Sequence, residues 1–101
     1  MLNITKTMEN GGLTIALEGE LNTVTAPVLD KAVNEVINSA STVTFDLKAL
    51  EYISSAGLRV LLTTQQAMDA RGLPTVMIKN ASTLILDTFE LTGFDTILNL
   101  L

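Results

Sequence analysis

The spacing of apolar residues changes period repeatedly along this chain, and the order of those changes limits the folds open to it. Leu2 and Ile4, then Leu13, Ile15 and Leu17, alternate with polar or small residues, which is the period of a half-buried strand. Asn10-Gly11-Gly12 separates the two runs and supplies the positive φ values of a hairpin turn. Leu29, Ala32, Val33, Val36, Ile37 and Ala40 then fall at the spacing of one helical stripe. Thr25 is the expected N-cap of that helix, with Pro27 in its first turn, where a missing N–H costs nothing. Thr42–Leu47 is β-branched and aromatic and reads as a central strand, followed by a short loop to Tyr52-Ile53.

A second helix is predicted from about Ser55 to Ala70, with Leu58, Leu61, Leu62 and Met68 inward and Gly72 and Pro74 ending it. Thr75–Ile78 reads as a strand. Ser82 caps a third helix carrying Leu84, Ile85, Leu86 and Phe89, which Gly93 stops, and Thr96–Leu98 adds a short last strand. The order β-β-α-β-α-β-α-β predicts an α/β fold: a mostly parallel sheet of four to five strands, with an antiparallel first strand, packed against helices. One domain over residues 1–101 is expected, because a chain of 101 residues supports a single core.

Composition removes whole classes of chemistry. There is no cysteine and no histidine, which excludes disulfides, thiolate nucleophiles, Cys/His zinc sites and histidine-based triads. A formal net charge of −5 with only six Lys and Arg argues against nucleic acid and against anionic membrane surfaces. The N-terminus lacks a signal-peptide pattern, and no apolar run approaches a membrane span. A soluble, cytoplasmic protein is the expectation.

In sheets of this kind, functional loops leave the carboxyl ends of strands. Gly19–Thr25 and Asp46–Gly57 both do so. The second segment places two hydroxyls, Ser54 and Ser55, at a helix start, where free N–H groups and the helix dipole favour an anion. On local sequence alone, the common arrangement is one serine capping the helix and the other facing solvent. Gly57, lacking a Cβ, is expected to let another surface approach. Arg59 is expected to face solvent, with a partner or phosphate contact as the sharper alternative. Met68 and Met77 read as core fillers, and Tyr52 is expected in or beside the core. Leu98, Leu100 and Leu101 make an apolar C-terminus that either docks on the domain or forms a contact patch.

Glu18, Glu20, Asp46 and Glu51 do not form a convincing metal or paired-carboxylate site. Glu18 and Glu20 share one strand face and are expected to be solvated, and Asp46 is expected to hold loop backbone. A nucleophilic Ser55 would need a base, and Lys48 has no motif support, so no enzyme, metal or cofactor is expected.

The stretch from Asp46 to Leu62 resembles the signature of the STAS family: an aspartate-leucine strand end, an aromatic-aliphatic pair, a serine-rich turn, Gly-Leu and an apolar helix. Gly19-Glu20-Leu21-Asn22 with Thr25-Ala26-Pro27, and Leu91-Thr92-Gly93-Phe94-Asp95, resemble two further family segments in the right order. The resemblance implies an anti-sigma factor antagonist that binds a serine kinase doubling as anti-sigma factor. The kinase phosphorylates the turn, the antagonist lets go, and a metal-dependent serine phosphatase resets it. Matched by position, the acceptor is Ser55, with Ser54 as its rival, and the partner-binding set is Asn22, Thr23, Ser54, Ser55, Ala56, Gly57 and Arg59. Asn22 and Ser54 stand where the family often has aspartate, so both keep hydrogen bonding and lose charge. A monomer or weak dimer is expected. The competing expectation is an unphosphorylated STAS adaptor subunit of a lipid or solute transport complex.

Overall fold

The computed structural model describes residues 1–101. Strands β1 (Leu2–Glu9) and β2 (Gly12–Leu21) form the predicted hairpin, with Glu9 opposite Gly12. The two loop residues, Asn10 (φ 51°) and Gly11 (φ 83°), both take positive φ, as a tight primed turn requires. Helix α1 (Ala26–Asn34), strand β3 (Thr42–Ile53), helix α2 (Ser55–Ala70), strand β4 (Met77–Lys79), helix α3 (Thr83–Thr92) and strand β5 (Asn99–Leu100) follow.

The five strands lie in sequential order, β1 antiparallel to β2 and the others parallel. Right-handed crossovers between sequential parallel strands bring every helix to the same face of the sheet. Burial follows: Leu13, Ile15 and Leu17 on β2, and Val43, Phe45 and Leu47 on β3, join one core of 23 buried apolar residues with Leu29 and Val33 of α1, Leu61 and Met68 of α2, and Ile85 and Phe89 of α3. The opposite sheet face carries no helix and is lined by threonines and other small or polar side chains.

Several elements depart from their sequence expectations, each for a local reason. The α1 stripe runs to Ala40, yet the helix ends at Asn34, and Ile37–Ser39 form a 3₁₀ turn. The N–H groups of Val36, Ser39 and Ala40 each bond three residues back at 3.1 Å, and Arg71 donates to the carbonyls of Ile37 (2.7 Å) and Asn38 (3.0 Å). The expected loop before Tyr52-Ile53 is strand instead. β3 takes seven steps from Asp46 to Ile53 while its partner β2 takes five from Ala16 to Leu21, so β3 carries two bulges. The bulges change the inward spacing and bring Leu50 and Ile53 to the core, while Tyr52 is 47% exposed rather than packed in it. β4 begins at Met77, not Thr75, because the Val76 N–H is taken by Gln65 Oε1 at 2.7 Å. The last strand falls at Asn99–Leu100 rather than Thr96–Leu98, since Phe94–Thr96 turns as a 3₁₀ helix, and Leu98 is buried in the core. On α2, Leu62 is only half-buried, and on α3 Leu84 and Leu86 face outward, leaving Ile85 and Phe89 to pack. Ser82 caps α3 as expected, and Gly93 ends it in the left-handed conformation at φ 79°.

Candidate functional site

The carboxyl ends of β2 and β3 lead into α1 and α2, and the turn after each strand is fixed by its own side chains. After β2, Asn22 Oδ1 accepts the backbone N–H groups of Val24 and Thr25, both at 3.0 Å. Thr25 Oγ1 accepts the Asn22 N–H at 2.8 Å and donates to the Glu20 carbonyl at 2.8 Å. This is a reciprocal capping box, and it corrects the expectation for Thr25. Thr25 already has helical backbone and makes no cap bond of its own, so the capping residue is Asn22. An amide does this as well as a carboxylate, because the cap needs only an acceptor oxygen.

After β3, the Ser54 N–H bonds the Leu21 carbonyl at 2.9 Å, tying the two strand ends together. Ser54 Oγ accepts the Gly57 N–H at 3.4 Å and caps α2. Ser55 is the first residue of α2, exposed, and its hydroxyl has no partner within the protein. The two serines therefore divide the roles open to them from sequence: Ser54 caps and is half-buried, and Ser55 faces outward.

Gly57 requires a correction. It is buried, and a Cβ there would lie 2.6 Å from Leu21 Cγ and 3.1 Å from Ile53 Cγ1. What approaches this glycine is the domain's own core, so the missing side chain seats α2 on the sheet and does not admit a second molecule.

Between α1 and α2 runs an open groove of about 540 Å³. Thr23, Asp30, Ser55, Arg59 and Thr63 supply its polar rim, and Ala26, Pro27, Ala56 and Val60 the rest of its lining. Of the seven sequence-predicted partner residues, the structure brings Thr23, Ser55, Ala56 and Arg59 together on this groove. Asn22, Ser54 and Gly57 lie behind it, building the turns that carry the others. Arg59 is exposed and makes no ion pair, the one salt bridge being Lys6–Glu35 at 3.2 Å on the opposite side of α1.

Sequence reasoning missed the exposure of Val24 and Val28, 81% and 56%, near the start of α1, although neither lines the groove. Their signal was present: both lie off the buried stripe that starts at Leu29, and a helix in a lone domain gains nothing from apolar residues on its wet side.

The Asp46 carboxyl sits on the bare sheet face, away from this groove. Partial burial would raise its pKa, but hydrogen bonds from Asn80 Nδ2 (3.0 Å) and the Lys48 N–H (3.1 Å), with the charges of Lys79 and Lys48, hold it below the ordinary aspartate range. It holds backbone, as expected.

Comparison with known proteins places this arrangement. The family model described as "Mlab, STAS domain" matches residues 4–101, and the chain belongs to that STAS family. The anti-sigma-F factor antagonist RsfB of Mycobacterium tuberculosis is 30% identical over 66 residues, covering 64% of this chain and 54% of RsfB. The chain spans about half the length of the curated relatives it matches. Among solved structures, an anti-sigma factor antagonist from Mycobacterium paratuberculosis superposes with a TM-score of 0.82 at 25% identity, over 99% of this chain and 85% of that one. The phosphorylated form of the Bacillus cell fate determinant SpoIIAA gives 0.78 at 17% identity, over 98% and 91%, which is a likeness of fold. These comparisons agree with the mixed sheet and three helices described above.

Proposed function

We propose that this chain is an anti-sigma factor antagonist, acting as one domain in the cytoplasm, that binds an anti-sigma factor serine kinase through the α1–α2 groove and is released when Ser55 is phosphorylated. The observation that carries the reading is the free Ser55 hydroxyl at the rim of that groove, beside a Ser54 hydroxyl already engaged in capping α2. Family membership and the names of the relatives support it.

In this reading the chain is a kinase substrate and not itself an enzyme. Ser55 Oγ attacks the γ-phosphorus of a nucleoside triphosphate, the bond to the β-phosphate oxygen breaks, the diphosphate leaves, and the serine proton passes to a base of the kinase. A metal-dependent phosphatase reverses the modification by hydrolysis. The switch needs no large movement. A phosphoserine adds roughly −1.5 to −2 charges, and burying that charge against a surface arranged for a neutral hydroxyl costs several kcal/mol, with about 1.4 kcal/mol per tenfold in affinity.

The test pairs the chain with anti-sigma factor kinases encoded near its gene. Intact mass after incubation with nucleoside triphosphate is expected to rise by one phosphate in the natural sequence and in Ser54→Ala, and to stay unchanged in Ser55→Ala. Ser55→Asp is expected to keep the fold and to lower affinity for the kinase on the order of a hundredfold. An active kinase that leaves the mass unchanged overturns the switch for that pair.

A second reading is an unphosphorylated STAS adaptor of a lipid or solute transport complex. Membership in the family described as "Mlab, STAS domain" is compatible with both readings. The adaptor reading predicts co-purification with transporter subunits and indifference to a phosphate at Ser55.

A further inference from the structure

We infer that Arg59 is the internal partner of a phosphorylated Ser55, so that modification removes a cation from the groove as well as adding an anion. The inference rests on the reading of Ser55 as phosphoacceptor and specifies how that site is read. Ser55 and Arg59 are four residues apart on α2, so they share one helix face with Cβ atoms about 5–6 Å apart. Both border the α1–α2 groove. The order, anion N-terminal to cation, is the favourable one on a helix.

Arg59 is uncommitted in the unmodified protein, and the contrast with Arg71 just past the same helix shows what commitment looks like. Arg71 spends its guanidinium on the Ile37 and Asn38 carbonyls. The Arg59 guanidinium donates to no group of the protein and pairs with no carboxylate, although Asp30 borders the same groove from α1. A phosphate on Ser55 would meet repulsion from Asp30 on one side and a planar, fork-shaped donor on the other. Guanidinium and phosphate match bidentately. The Thr63 hydroxyl, farther along, already donates to the Arg59 carbonyl at 2.8 Å and does not compete.

The consequence concerns the partner. In the unmodified state the exposed cation of the groove is offered outward, and the chemistry that recognises it is a carboxylate of the partner. Phosphorylation gives Arg59 a nearer anion and leaves that carboxylate facing a phosphate. Release then has two components, loss of an ion pair and gain of a repulsion.

The experiment installs phosphoserine at position 55 during translation, so that no kinase is involved. The second ionisation of the phosphate, ordinarily near pH ~6, is followed by ³¹P NMR in the Arg59, Arg59→Lys and Arg59→Gln proteins. The midpoint with Arg59 is expected about 0.5 pH unit or more below that of Arg59→Gln, with Arg59→Lys between them. Coincident midpoints in the Arg59 and Arg59→Gln proteins overturn the inference. This outcome is separable from the switch itself: a kinase that never modifies Ser55 sinks the switch while the titration still reports on Arg59, and coincident midpoints sink the role of Arg59 while leaving the switch standing.

Discussion

The α1–α2 groove and the bare face of the sheet are both open to water and both indented, yet their charged groups are used differently. On the sheet face, shallow depressions of about 290 and 220 Å³ lie among strand residues only. There Glu18 accepts from Asn3 Nδ2 at 2.9 Å, and Asp46 is held by Asn80 and the Lys48 N–H. In the groove, Asp30 and Arg59 have no internal partner, and Ser55 presents a free hydroxyl. A face on which Glu18 and Asp46 are answered by neighbouring amides is largely finished in the lone domain. A face with unanswered charge around a free hydroxyl has its bonding capacity turned outward.

The largest expected effect comes from disturbing the base of the groove. Gly57→Ala places a Cβ within 3 Å of Leu21 and is expected to destabilise by about 2 kcal/mol, measured by urea unfolding. Unchanged stability would mean that α2 can lift off the sheet freely, and the groove would then be a variable feature. Next, Thr23→Glu on the groove rim is expected to weaken binding to the proposed kinase partner about tenfold with stability within ~0.5 kcal/mol, whereas Thr14→Glu on the bare face leaves affinity within about twofold. Equal losses from the two would erase the distinction between the faces.

Asn22→Ala removes the reciprocal cap at the entry to α1 and is expected to cost about 1 kcal/mol, while Asn22→Asp restores it. The smallest effect tests whether the bare face is internally satisfied. The Asp46 pKa is lowered by folding, so its contribution is present above the unfolded value near ~3.9 and is lost as pH falls through the lower folded value. The stability difference between the natural protein and Asp46→Asn is therefore expected to be flat near neutrality and to shrink below about pH 4. A difference independent of pH would show that Asp46 is not held by its neighbours.

The sequence was legible wherever one periodicity ran uninterrupted. The hairpin, the strand–helix order, the antiparallel first strand and the extent of α2 all follow from apolar spacing and turn residues. What was illegible depends on contacts distant in the chain. Nothing near Val76 says that Gln65, eleven residues back, will take its N–H and delay β4. Nothing near Ile37 says that Arg71 will complete the carbonyls of a 3₁₀ turn. The bulges of β3 are set by pairing with β2, so a stretch read as loop became strand. At the site, the residue types were visible and their division of labour was not. Asn22, Ser54 and Gly57 belong to the framework, and Thr23, Ser55, Ala56 and Arg59 to the surface, and only the hydrogen bonds and the fit of Gly57 against Leu21 separate them.

The two bulges in β3 also act as slack in the chain. A bulge opposes two residues to one, so the residues beyond it keep their side of the sheet although the strand has gained one in length. Leu47, Leu50 and Ile53 are three residues apart and all reach the core, because one insertion falls in each interval. The face on which the serine turn is presented is therefore set by the pairing of Leu21 with Ile53 and not by the number of residues leading up to it. A lineage could lengthen or shorten this arm one residue at a time, provided each change is taken up in a bulge, and still present the same turn on the same side.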